Sequence, residues 1–463
     1  MLPKPSLTFT VPSLHDGLPI DCRVYNPHSL APSPDAPSWE KHAAIVAHPY
    51  APLGGCYDDP IVDITAGTLL RLGFLVGTFN FRGAHGSVGR TSWTAKAERA
   101  DYKSVVGFIY HYVHFLDPFG QAGPGRPGSG AHGDEQAGAD EEGTPTIRVR
   151  PPTPGASPSS RSGAAARPIL LLGGYSYGAM ITSQLPSLET IISVFRTPEC
   201  DSPAAEIRLR AQHLAEMQNR ILASARDAAI DRLTARSPRR DVGIRVGGDE
   251  ESRRSHEARR PLSAEFEEAV QHGVAELMAR SGKRPRRTLG GQTQNPRDPE
   301  GAAEGTGHAS ERLPAIPGLT EYRPAYLLVS PLQGIITNLA TMSVPSALSG
   351  ITGKLMTRMS AMTREETVQP SSPEPSSLAR AIPAEAEDKL IQNPTLAIYG
   401  DRDGFVPVRK LRDWASRLEG RPDSRFRAHE VSSANHFWAQ GNVASTLREA
   451  VRAFGVSLLG DTA

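Results

Sequence analysis

Pro168-Ile169-Leu170-Leu171-Leu172-Gly173-Gly174-Tyr175-Ser176-Tyr177-Gly178-Ala179-Met180-Ile181 decides how this chain is read. The apolar run Pro168–Gly173 has the length of a buried strand. Ala179-Met180-Ile181-Thr182-Ser183-Gln184-Leu185 starts a helix. Between them stands Gly-x-Ser-x-Gly. A turn this tight leaves no room for side chains two residues before and after the serine, and Gly174 and Gly178 meet that need. The turn lifts the Ser176 hydroxyl to the N-terminus of a helix, where negative charge is stabilised. That strand–turn–helix context is the one a serine nucleophile requires.

An acid and a base are expected downstream. Thr395-Leu396-Ala397-Ile398-Tyr399 reads as a buried strand and runs into Gly400-Asp401-Arg402-Asp403-Gly404. The carboxyl ends of parallel strands are where open α/β sheets gather their sites. Asp403 is the expected catalytic acid, while Asp401 suits the part of a turn-capping aspartate. Phe426–Val431 alternates as a strand does and leads to Ser432-Ser433-Ala434-Asn435-His436. His436, just past that strand, can face a serine and an aspartate together. His429 lies within the strand and points off a sheet face, which makes it the weaker base.

In the order Ser176, Asp403, His436, these residues resemble the triad of the α/β-hydrolase superfamily. Two further stretches are similar to its small serine hydrolases with an H-P-H-P-x-x-G-G loop. One is His48-Pro49-Tyr50-Ala51-Pro52-Leu53-Gly54-Gly55. The other is Phe79-Asn80-Phe81-Arg82-Gly83-Ala84-His85-Gly86-Ser87-Val88-Gly89. The chain departs from the pattern at Tyr50-Ala51, which replaces the second His-Pro, at Asp58-Asp59 in place of Asp-Asn, and at His85 in place of a glycine. The likeness covers roughly residues 40–115, 167–195 and 325–458. It implies an oxyanion hole made of the backbone N–H groups of Tyr50 and Tyr177. It also implies a mostly parallel central sheet flanked by helices. Asp59-Pro60 reads as a helix N-cap followed by proline at the first helical position.

The 463 residues suffice for one large domain or several average ones, and the formal net charge of +1 favours neither nucleic acid nor an anionic membrane. Three cysteines, Cys22, Cys56 and Cys200, make no disulfide framework and fit a reducing compartment. No signal peptide is evident at the N-terminus and no membrane span along the chain, so a cytoplasmic protein is expected.

The organisation reads as an α/β core with insertions. Residues 1–117 form the first part of the core. They open with a hairpin over 6–26 and continue with strands near 43–48 and 74–81, alternating with helices near 60–72 and 95–115. Residues 118–166, rich in Gly, Pro, Ser and Ala, read as a disordered insertion. Residues 167–196 carry the Gly-x-Ser-x-Gly turn, a nucleophile elbow. Residues 197–322 are a helical and low-complexity insertion, either a lid or a peripheral decoration. Ile207, Leu214, Met217, Ile221, Ala225 and Ala228 recur at helical spacing there, and so do Phe266, Val270, Val274 and Leu277. The basic cluster Lys283–Arg287, with Arg253-Arg254 and Arg259-Arg260, reads as solvated surface. Residues 323–463 complete the core, with a cap segment over 343–390. His111 and His114 share a helix face, and no further ligand nearby makes them a metal site.

The function expected is a serine hydrolase cleaving a carboxylic ester, thioester or amide of a small-molecule acyl substrate, with no cofactor. A peptidase, an acyltransferase and a non-catalytic binding protein on the same scaffold are the alternatives.

Overall fold

A computed structural model describes residues 1–92, 94–120, 167–235, 311–333 and 384–460. Among the described residues eight strands form one sheet: β1 (Leu7–Pro12), β2 (Pro19–Tyr25), β3 (Ala43–Ala47), β4 (Leu75–Phe79), β5 (Ile169–Tyr175), β6 (Arg323–Val329), β7 (Thr395–Gly400) and β8 (Phe426–Val431), in spatial order β1-β2-β4-β3-β5-β6-β7-β8. β1 pairs antiparallel with β2, and β2 antiparallel with β4. Every later pairing is parallel.

The α-helices among the described residues are α1 (Pro60–Arg71), α2 (Lys96–Phe115), α3 (Tyr177–Gln184), α4 (Leu188–Arg196), α5 (Pro203–Ala235), α6 (Ala384–Gln392), α7 (Val408–Glu419) and α8 (Val443–Gly460). β3, β4 and β5 are buried along their whole length because helices cover both sheet faces. Ile45, Leu170 and Leu172 pack on one face against Tyr102, Val106 and Phe108 of α2. Ala44, Val46 and Leu171 pack on the other against Val62 and Leu69 of α1 and Leu447 and Val451 of α8. Asp59 caps α1, its Oδ1 accepting the N–H of Ile61 at 2.8 Å, with Pro60 at the first helical position.

The register brings the strand ends together. Ala47 lies beside Gly174, Gly174 beside Leu328, Val329 beside Ile398, and Gly400 beside Val431. The loops after β3, β5, β7 and β8 therefore leave one edge of the sheet.

α5 packs on α2 and β1, neither of which carries a residue of the expected triad. The expected helix over 266–277, the basic cluster at 283–287, residues 121–166 of the insertion expected over 118–166 and residues 343–383 of the cap segment expected over 343–390 lie outside the described residues. The end of that cap segment, 384–390, belongs to α6, which packs on α3. No helix among the described residues is long and apolar enough to cross a membrane.

Candidate active site

Ser176 sits between β5 and α3 at φ 56° and ψ −112°, a region a non-glycine residue occupies only when its surroundings force it. The strand runs on to Tyr175 and the helix starts at Tyr177, so the turn is one residue wide, tighter than the apolar pattern indicated. Its N–H is held by Val329 O at 2.8 Å. A Cβ on Gly174 would lie 2.4 Å from Gly178 C, and one on Gly178 would lie 2.6 Å from Ala47 O. Both glycines are required by close approach.

His436 meets the serine from the loop after β8. Its Nε2 is 2.8 Å from Ser176 Oγ and its Nδ1 is 2.7 Å from Asp403 Oδ2. A carboxylate can only accept, so the proton sits on Nδ1 and the Nε2 lone pair faces the serine hydroxyl. Ser176 is 6 % exposed and His436 3 %. The second oxygen of Asp403 accepts the N–H groups of Phe405 (2.8 Å) and Val406 (3.1 Å). Asp403 thus caps its own turn while it holds the imidazole. Asp401 takes the Ser433 N–H at 2.7 Å, and the N–H groups of Asp401 and Arg402 reach Val431 O and Ala434 O. These bonds lace the acid loop to the histidine loop. His429 is exposed on β8.

Side chains that the sequence reading left without a role complete the frame. The Tyr175 hydroxyl donates to His436 O at 2.8 Å, Trp438 Nε1 donates to Ser330 Oγ at 3.0 Å, and the Phe405 ring lies 4.3 Å from the imidazole. Their only sequence signal was proximity to Ser176, Asp403 or His436.

The loop after β3 carries Tyr50. Its ring is 5.2 Å from that of Tyr177, and Phe81 lies 5.8 Å from Tyr177 on another side. Neither the Tyr50 nor the Tyr177 backbone N–H has an acceptor among the described residues. For Tyr177 this follows from its place as first residue of α3. The loop is braced by His48, whose Nε2 accepts the Phe81 N–H at 2.9 Å while its Nδ1–H donates to Pro49 O. Asn80 Oδ1 accepts the Tyr57 N–H at 2.9 Å at the other end of the loop. Arg82 pins the segment after β4, donating to Asp101 at 2.7 and 2.9 Å and to Asp16 at 2.8 Å. Residues of the stretch Phe79–Gly89 thus scaffold the neighbouring loop.

Two buried histidines, His48 in this frame and His111 in α2, make the fold sensitive to acid. His111, on α2, gives its Nδ1–H to Gly107 O at 2.7 Å, and its Nε2 has no partner among the described residues. Burial pushes the imidazoles of His48 and His111 down to about 4. An ordinary histidine titrates near 6.5, so below that pH the unfolded chain takes up protons that the folded chain refuses. Stability is intact above about pH 6.5, falls as the pH falls, and reaches its full loss below about pH 4, on the order of 3 kcal/mol per histidine. Urea unfolding at pH 7 and pH 4 will show this loss. His111→Phe, which keeps a ring in the same space, will remove about half of the part that His48 and His111 carry. An unchanged acid loss in that variant contradicts the assignment.

Among the described residues no group of His, Cys, Asp and Glu is arranged to hold a metal. What the site can do is pass a proton from Ser176 Oγ to His436 Nε2 and stabilise the charge that results on the imidazole.

No protein-family model matches the sequence, and neither does any curated protein. Solved structures do resemble it. An α/β serine hydrolase homologue from Coxiella burnetii is 12% identical, with 98% of this chain and 99% of that one covered, at a TM-score of 0.38. An α/β serine hydrolase without a lid from Xanthomonas campestris is 14% identical, with 99% and 97% covered, at 0.37. Est1E from Butyrivibrio proteoclasticus, with ferulic acid bound, is 10% identical, with 98% and 99% covered, at 0.38. By its strand order, its serine turn and the edge on which its loops gather, this chain has the α/β-hydrolase fold.

Proposed function

We propose that this chain is a serine hydrolase that cleaves carboxylic esters through an acyl-enzyme. The observation that carries the reading is the continuous contact from Asp403 through His436 to Ser176, at 2.7 and 2.8 Å. Ser176 Oγ attacks the acyl carbon while His436 Nε2 takes its proton. The tetrahedral oxyanion lies against the N–H groups of Tyr50 and Tyr177, each worth about 3 kcal/mol to the transition state. Collapse expels the alcohol, which receives the proton from His436. Water, activated by the same imidazole, then attacks the acyl carbon and frees the acid and Ser176.

Phe437, 54 % exposed, and Leu53 stand exposed next to His436 and in the Tyr50 loop. They favour an acyl or leaving group with apolar surface. Three unpaired thiols agree with a reducing compartment, and we place the protein in the cytoplasm.

A fluorophosphonate probe tests the assignment. The folded wild-type protein will take up one probe, mapped by peptide mass spectrometry to the peptide holding Ser176, and heat-unfolded protein will take up none. A folded protein that stays unlabelled refutes a serine hydrolase. Hydrolysis of p-nitrophenyl esters of graded chain length will then rank acyl groups.

A further inference from the structure

Lys389 lies on the buried face of α6 with Ala386 and Leu390, and is 3 % exposed. Its Nζ donates to Thr182 O (2.8 Å), to Ser183 O (3.2 Å) and to Leu185 O. It also lies 5.3 Å from the ring centre of Tyr326 on β6. An ammonium has three N–H donors, and backbone carbonyls take all three. Burial lowers its pKa well below the ordinary lysine value, but three carbonyl acceptors can be met only by the ammonium, since a neutral amine has two donors.

Those carbonyls form the C-terminal end of α3, the helix whose N-terminus carries Ser176 and the Tyr177 amide. The last carbonyls of a helix have no partners within it. α3 has no basic residue in its last turn, and its cap, Leu185, turns extended at ψ 151° before Pro186. The cation therefore comes from another helix, more than two hundred residues further along the chain. A buried ammonium is costly even when its hydrogen bonds are made, and an apolar side chain would fill the same space. What distinguishes the lysine is a grip on the axis of α3, with its charge at the end of the helix where a cation is favourable. At the opposite end Gly174 and Gly178 bring the start of α3 against β5 and the end of β3 with no room for a Cβ, so the glycines and the lysine hold the two ends of one short helix.

We infer that Lys389 is a positioning residue for the nucleophile: it holds the C-terminal carbonyls of α3 and so sets the height and tilt of Ser176 Oγ and of the Tyr177 amide against His436. This rests on the serine-hydrolase reading above. Lys389→Met and Lys389→Gln in the full-length protein test it, assayed well below the melting midpoint of each variant. The expected result is a lower midpoint together with about a tenfold fall in both fluorophosphonate labelling rate and kcat on p-nitrophenyl butyrate, with KM within about twofold for Lys389→Met. Lys389→Gln, which keeps two N–H donors, will fall between Lys389→Met and wild type. Folded variants that label at the wild-type rate overturn the inference, because a merely structural lysine would move only the midpoint. Failure of both variants to fold also overturns it, and makes Lys389 a stability element. If the wild type itself fails to label, the hydrolase reading has failed instead.

Discussion

Ser176→Ala will fold as the wild type does and lose ester hydrolysis by about a million-fold in kcat, together with all fluorophosphonate labelling. The fold survives because the substitution touches little that holds the turn. Alanine keeps the Cβ, so the cost of φ 56° is the same in both proteins. The backbone N–H still reaches Val329 O, and Met180 N–H still reaches the carbonyl of residue 176. What disappears is the oxygen 2.8 Å from His436 Nε2, the atom that would form the covalent bond. The imidazole loses one partner and keeps Asp403, so the change in melting midpoint will be a few degrees at most. Residual turnover from the amides of Tyr50 and Tyr177, which can still polarise a bound carbonyl, will be far below the wild-type rate. The check is steady-state hydrolysis of a p-nitrophenyl ester with active-site labelling of both proteins. A variant that keeps even a hundredth of the wild-type kcat places the chemistry at another residue.

The parts of this site that were legible in the sequence share one physical cause. β5 and β7 are buried on both faces and read as unbroken apolar runs, and a parallel strand must release its chain at the same sheet edge as its neighbours. Once Ile169–Tyr175 and Thr395–Gly400 are strands, Ser176 and Asp403 share that edge. β8 alternates because it is the sheet's outer strand, and its end brings His436 to the same place. Strand order was not legible, because β3 lies between β4 and β5 through crossovers that no local pattern encodes. Residues that act through a fold-dependent neighbour were equally hidden. In the sequence Tyr175 is only a residue of the serine turn, yet its hydroxyl holds the carbonyl of His436. Lys389 reads as a surface lysine until α6 is laid against α3, and only its place beside Ala386 and Leu390 on the apolar face of a helix hints otherwise. The sequence reading gives the acid to Asp403 and the capping role to Asp401, but the division is less sharp than that. Both accept backbone N–H groups, and Asp403 does so with the oxygen it does not offer to His436.

That double use of Asp403 makes Asp403→Asn the more discriminating substitution. Its side chain is 1 % exposed, and asparagine has the same shape. The N–H groups of Phe405 and Val406 can only donate, so they require the amide oxygen of the new side chain on their side. This forces the amide NH2 toward His436 Nδ1, where it too donates. Nδ1 must then be the unprotonated nitrogen, and the proton moves to Nε2, which faces Ser176 Oγ at 2.8 Å. The base now presents a donor to the hydroxyl it should deprotonate. In addition, no negative charge remains to stabilise the imidazolium formed in the transition state. The loss expected is about ten-thousand-fold in kcat, with KM little changed. Thermal stability will fall only modestly, because every hydrogen bond at residue 403 keeps a partner. Raising the pH will recover part of the rate as hydroxide substitutes for the missing base, a rise the wild-type protein will not show over the same range. Proton NMR of the variant will complement the kinetics by placing the imidazole proton on Nε2. A variant with kcat within tenfold of wild type would mean that the contact between Asp403 and His436 does not set the tautomer that the chemistry uses.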